Sequence, residues 1–164
     1  MKISCDVTDP HRLAELVDLI MYCQNTEAHL DIKMAEQPDV FAIPAYYQAT
    51  GGQFWVALDS GHVVGSIGLL KLNEQVGVLK KFFTYPSYRG RPQRLGQRLY
   101  ETFLNEVKTQ TKITTIILDT PRAETRSHYF YEKQGFQQIS RADLKVAYPF
   151  PDRDSLIYQK TVTR

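Results

Sequence analysis

The stretch Leu79-Lys80-Lys81-Phe82-Phe83-Thr84-Tyr85-Pro86-Ser87-Tyr88-Arg89-Gly90-Arg91-Pro92-Gln93-Arg94-Leu95-Gly96 decides the fold, because it reads as an apolar strand, a basic glycine-bearing loop and the start of a helix. Such a loop aims backbone N–H groups and the positive end of the helix at one small volume, where an anion is held. Lys80, Lys81, Arg89, Arg91, Arg94 and Arg98 add positive charge around it, which suits a ligand carrying several phosphates. Downstream, Leu95, Leu99, Phe103 and Val107 repeat as the apolar stripe of a helix lying on a core. The β-branched run Ile113-Thr114-Thr115-Ile116-Ile117-Leu118 then predicts a buried strand, so strand, helix and strand form a parallel βαβ crossover.

Upstream, residues 54–58, 63–70 and 76–85 predict an antiparallel meander, with turns at Asp59-Ser60-Gly61-His62 and near Asn73-Glu74. A short strand is expected at 2–5. A helix follows, capped by Asp9 with Pro10 at its first position and carrying Leu13, Leu16, Val17, Ile20 and Met21 on one face. Residues 26–36 suggest a second helix, before a segment broken by Pro38 and Pro44 in which Tyr46 and Tyr47 read as packing aromatics. The last helix is expected over 123–134, stopped by Gly135, with closing strands at 136–139 and 155–162. A loop through Tyr148-Pro149-Phe150-Pro151-Asp152 separates those strands. The expected class is α/β, a mixed central sheet with helices on both sides, built by an antiparallel meander and then a parallel βαβ unit.

The 164 residues are the length of one domain, residues 1–164, and suffice to bury a real core. A net charge of +2 is too mild to argue for nucleic acid or membrane as a partner. Cys5 and Cys23 are widely spaced and lack a Cys/His constellation, so no disulfide framework and no metal site is expected. No apolar run approaches the ~20 residues of a membrane span, and no leader-like segment opens the chain; a cytoplasmic location is the expectation.

Two segments resemble the signatures of the GNAT-type N-acetyltransferase family. Arg91-Pro92-Gln93-Arg94-Leu95-Gly96 is similar to its Q/R-x-x-G-x-G/A pyrophosphate motif, and Phe130-Tyr131-Glu132-Lys133-Gln134-Gly135-Phe136 to its F-Y-E-K-x-G-F motif. In the first, Arg94 stands where the pattern has Gly; alternatively the loop is lengthened and Gly90 and Gly96 are the family's glycines. Both alignments remain open at this stage. The resemblance covers about residues 53–139 and thins at the ends, where acceptor choice is expected to lie.

The resemblance implies acetyl-CoA as co-substrate and an amine of a small molecule, peptide or protein as acceptor, acetylated by direct attack. It implies that backbone groups near Phe82, Phe83 and Thr84 pair with the pantetheine arm, and that Arg89, Gly90, Arg91, Pro92, Gln93, Arg94, Leu95, Gly96 and Gln97 supply pyrophosphate contacts, chiefly through N–H groups. Tyr131 matches the acid that protonates the departing thiolate. Glu124 stands where the family commonly has Asn, beside the cofactor's arm or the amine. A carboxylate that many relatives carry on the fourth strand is replaced by Val78; Glu74, Asp119, Glu124 and His128 are the substitutes as base, and an ordered water or an already neutral amine would also serve. The alternative is a noncatalytic acetyl-CoA- or CoA-binding regulatory module, for which Val78 and Arg94 speak and against which Tyr131 speaks. The acceptor is unspecified, and monomer and homodimer are both open.

Overall fold

The computed structural model describes residues 1–151 and 154–164, so Asp152 at the end of the expected loop lies outside the described residues. In chain order the elements are β1 (Lys2–Ser4), α1 (Pro10–Met21), β2 (Gln53–Asp59), β3 (His62–Lys71), β4 (Val76–Thr84), α2 (Leu95–Gln110), β5 (Thr115–Pro121), α3 (Thr125–Lys133), β6 (Gln137–Ile139) and β7 (Ser155–Thr161). They form one seven-stranded sheet in the order β1-β2-β3-β4-β5-β7-β6. Only β4 and β5 run parallel; the other neighbours are antiparallel. The meander and the βαβ crossover are therefore as expected.

Alternation along the strands sorts the core into two faces. Trp55 and Ala57 of β2 join Leu95, Leu99, Phe103 and Val107 of α2, with Tyr131 of α3, on one side. Phe54, Val56 and Leu58 join Leu16, Leu19 and Ile20 of α1 on the other. Farther along that second side, Val78 and Ile117 pack with Phe150 and Ile157. At Gly65 a Cβ would lie 2.9 Å from both Leu95 Cδ2 and Leu99 Cδ1, so the missing side chain is what lets α2 lie close on β3.

Local chemistry sets the ends. The Asp9 carboxylate accepts from the His11 N–H at 2.8 Å and caps α1. Ser60 and Gly61 both take positive φ, the two-residue hairpin turn. Gly135 at φ +92 closes α3, with the Phe136 N–H reaching the Tyr131 carbonyl at 3.0 Å.

The helix expected over 26–36 is not formed. α1 instead runs into a π-helical turn, Tyr22–Glu27, followed by extended chain and short 3-10 turns at Met34–Glu36 and Pro38–Phe41. His29 and Asp31 take left-handed φ within this segment, and the Asn25 side chain both donates to the Ile32 carbonyl (2.7 Å) and accepts from its N–H (2.6 Å). That Asn bridge replaces a helical ladder. β5 is displaced from 113–118 to Thr115–Pro121, since Asp119 and Thr120 interrupt the apolar run yet continue the pairing with β7. Tyr47 is fully buried and donates to Asp39 Oδ2 at 2.6 Å, whereas Tyr46 is exposed.

Candidate active site

β4 and β5 pair only at Val76↔Thr115, Gly77↔Ile116 and Val78↔Ile117, although β4 continues to Thr84 and β5 to Pro121. Each strand stays bonded to its outer neighbour, β3 or β7, so the sheet opens between them. A cavity of about 990 Å³ fills the opening. On its β4 wall, Lys80 lies opposite Gly68 and Phe83 opposite Ser66, so Lys81 and Phe82 together face the single residue Ile67. This is a β-bulge. Lys81 takes φ +52, and its carbonyl accepts from Ser66 Oγ at 2.6 Å.

At one end of the cavity stands the N-terminus of α2. The first backbone bond into the helix runs from the Arg98 N–H to the Arg94 carbonyl at 3.1 Å, and the N–H groups of Leu95, Gly96 and Gln97 have no backbone partner among the described residues. Gly90, Arg94, Gly96 and Gln97 line the cavity beside them. Arg91, Pro92, Gln93 and Leu95 do not line it, and the Leu95 side chain is sealed in the core. A Cβ on Gly96 would meet only Phe82 Cζ at 3.8 Å, an ordinary contact, so the protein itself does not require glycine there. Arg94 sits at φ +47, the left-handed backbone that favours glycine. Gly90, at φ +67, shares that backbone, so both positions carry the conformation expected of the motif's Gly.

Arg89 lines the cavity too, but its guanidinium is engaged by the protein. Its guanidinium meets Glu27 with two bonds of 2.7 Å, the Thr84 hydroxyl at 3.1 Å and the Thr84 carbonyl. It buckles the π-helical turn to the end of β4 and occupies the Thr84 carbonyl, one of the backbone groups expected to face a pantetheine arm. The two guanidinium bonds, with Arg126 adding its charge, hold the Glu27 carboxyl below its ordinary range against the opposing effect of burial.

Across the cavity, Phe82 packs on Phe130 and Tyr131 with ring centres 5.6 and 6.3 Å apart. Tyr131 is 7% exposed and lines the cavity; its hydroxyl makes no hydrogen bond among the described residues. Burial foremost, then the charge of Asp119, pushes the phenol up, so it is a neutral donor at pH 7. Glu124, just before α3, also lines the cavity and lies 3.6 Å from Arg126.

Of the substitutes for a base, Glu74 is exposed, bonded to Lys71 at 2.6 Å and off the cavity. His128 is also off it, with Nε2 2.8 Å from the Pro121 carbonyl. Asp119 lies on the cavity wall, half-buried, and burial raises its carboxyl above the ordinary range despite Lys80 nearby. Val78 is buried among apolar side chains and offers no chemistry. The thiol of Cys23, on the same wall, is pushed up to about 11 by burial and is protonated at neutral pH.

The other end is built by residues whose place the sequence did not reveal. Gln24 and Gln37 exchange amide bonds of 2.9 and 2.8 Å. The Lys81 ammonium donates to Gln37 Oε1 at 2.6 Å and lies 3.8 Å from Asp39. These polar groups are gathered by the irregular 22–43 segment, which carries no periodicity to announce it.

Residues 19–136 match the model of the acetyltransferase (GNAT) family. A crystal structure of an acetyltransferase from Streptococcus agalactiae 2603 is similar over 98% of both chains, with 58% identity and a TM-score of 0.96. An acetyltransferase of the GNAT family from Staphylococcus aureus Mu50 is 31% identical over 99% of both chains, TM-score 0.90. N-acetylaspartate synthetase of Danio rerio is 29% identical over 110 residues, 64% of this chain but 37% of that protein. With its motifs, its opened sheet and this match in hand, the chain belongs to the acetyltransferase (GNAT) family.

Proposed function

We propose that the protein transfers an acetyl group from acetyl-CoA to a primary amine by direct attack. The observation that carries this reading is one cavity with an open helix N-terminus at one end and an unbonded, neutral Tyr131 hydroxyl on its wall. The pyrophosphate lies on the N–H groups of Leu95, Gly96 and Gln97, with Arg94 and Gly90 beside it, and the pantetheine arm runs along β4 past Phe82 and Phe83. The bulge at Lys81 and Phe82 leaves a backbone donor for the developing oxyanion.

The amine nitrogen bonds to the carbonyl carbon of the thioester and the carbon–sulfur bond breaks. Tyr131 gives its proton to the sulfur, and Asp119, on the acceptor side, takes the proton lost by nitrogen. Solvent returns a proton to Tyr131. The protonated Cys23 speaks against a route through an acyl-thiol on the protein. Localisation and oligomeric state do not enter this mechanism; no helix among the described residues is long and apolar enough to cross a membrane.

The test combines calorimetry with CoA and acetyl-CoA and a thiol-release assay over a panel of amino acids, polyamines, aminoglycosides and peptides. Acetyl-CoA at a hundred times its Kd should also stabilise the fold by about 2.7 kcal/mol in thermal melts. Amine-dependent thiol release supports the reading. Tight CoA binding with no release from any amine supports the regulatory module, and absence of binding overturns both.

A further inference from the structure

Lys80 and Asp119 each stand two residues beyond Val78↔Ile117, the last parallel pair of β4 and β5. With side chains alternating along a strand, both project from the face that carries Val78 and Ile117, into the opening between the strands. They bear opposite charges, yet they do not pair with each other. Among the described residues no carboxylate lies within 4.0 Å of the Lys80 ammonium, whose neighbour is the Tyr148 ring, with its centre 5.7 Å away. Asp119 likewise takes part in no ion pair among the described residues. Two half-buried, opposite charges on one cavity wall, neither in an ion pair among the described residues and Lys80 bonded only to the neutral Tyr148 side chain, are costly unless a ligand completes them.

A second observation points the same way. Pro121 pairs with Ser155 on β7, and the Ser155 hydroxyl is buried with no hydrogen-bond partner among the described residues. Ser155 and Tyr148 line the same cavity as Lys80. Buried hydroxyls are nearly always bonded, so this one marks a polar group that the free protein lacks.

We propose that the acetyl acceptor is a small amine that also carries a carboxylate, an amino-acid-like zwitterion whose amine lies at Asp119 and whose carboxylate lies on Lys80 with the Ser155 hydroxyl donating. This rests on the acetyl-transfer reading and narrows it to one substrate class. Lys80 is a binding group and not a base: although burial opposes it, Tyr148, Asp39 and Asp119 hold its ammonium above the ordinary range. A polyamine or other purely cationic acceptor would set a positive group against Lys80, and a neutral amine would leave its charge with Tyr148 as its one bonded side chain.

The experiment compares free amino acids with their α-carboxamides as acceptors, by thiol release from acetyl-CoA, in wild type, Lys80→Met and Ser155→Ala. In parallel, thermal melts of the CoA-saturated protein are taken with N-acetyl amino acids and with their amides, so that a carboxylate preference is read even if every acceptor in the panel is slow. Wild type should favour the acids by about tenfold or more in kcat/KM, as one charge-assisted contact gives. Lys80→Met should bring that ratio toward one through KM while leaving the Kd of acetyl-CoA unchanged. Ser155→Ala, smaller in effect and safe for folding, should shift the ratio the same way. Amides equal to acids in both assays, preference for polyamines, or an unaltered ratio in both variants would overturn the proposal. Failure of the underlying reading is separate and shows as no acetyl-CoA binding, or as binding with no thiol release from any amine and no carboxylate preference in the melts.

Discussion

Tyr131→Phe removes one oxygen from a ring held by Phe82, Phe130, Phe136 and Tyr158, with centres 5.6 to 6.3 Å away. Packing is preserved and the hydroxyl has no partner to lose among the described residues, so the melting temperature and the Kd of acetyl-CoA should stay at wild-type values. Turnover at saturating cofactor should fall ~10²-fold or more. Unchanged turnover, with the chemical step limiting, would remove Tyr131 from the mechanism. Arg94 makes a different kind of prediction. Its left-handed backbone costs roughly 1–2 kcal/mol for a side chain with a Cβ, whereas glycine costs the unfolded chain extra entropy. The two nearly cancel, so Arg94→Gly should leave stability within about 1 kcal/mol of wild type. Cofactor affinity should fall and its salt dependence become shallower, because a cation on the cavity wall has gone. Calorimetry at two ionic strengths checks this.

The Arg89–Glu27 buckle joins elements that sequence periodicity cannot join. Lysine keeps the charge of arginine but not the planar fork, so Arg89→Lys should cost about 1–3 kcal/mol and loosen the π-helical turn Tyr22–Glu27. Amide exchange should rise in that turn and not in α2, and KM for the amine should rise more than KM for acetyl-CoA. Equal protection in the turn would show that the buckle holds nothing. The same contrast explains what was legible. The meander, α1, α2 and the crossover follow from apolar periods of 2 and 3.6, and Gly135 from its C-terminal position. The loop before α2 was legible from glycine and charge, but not the direction of Arg89, because its partner is 62 positions away. Lys80 and Asp119 could be named from sequence; that they share one wall depends on where the β4–β5 pairing stops, which no local pattern encodes. Residues 26–36 were read as a helix, and the Asn25 bridge and left-handed residues defeated that reading.

For the whole molecule, opposing carboxylates shape stability against pH. Glu27 is held below its ordinary value of 4.5, first by its bonds to Arg89, so its contribution is present above 4.5 and is lost as pH falls through the lower folded value. Asp119 is raised by burial above 3.8, so its contribution is present below 3.8 and is lost as pH rises through the folded value. At the alkaline end, burial pushes Cys23 up to about 11 from 9.0 and Tyr100 up to about 12 from 10.0, so stability is retained below pH 9 and declines from there to pH 12. Melting temperature should therefore fall above about pH 9 and, through Glu27, below about pH 4.5. The two carboxylates can be separated by shape-preserving variants. Glu27→Gln should lower the plateau and flatten the acid limb, because it leaves Arg89 half-partnered and removes the titrating group. Asp119→Asn should raise the plateau, since an uncharged side chain no longer bears the desolvation that the carboxylate does, and should at the same time lower turnover by removing the base. A stabilised but slow Asp119→Asn protein is the signature of a residue kept for chemistry at the expense of the fold. An Asp119→Asn variant both less stable and fully active would assign Asp119 to structure and leave the amine to enter already neutral.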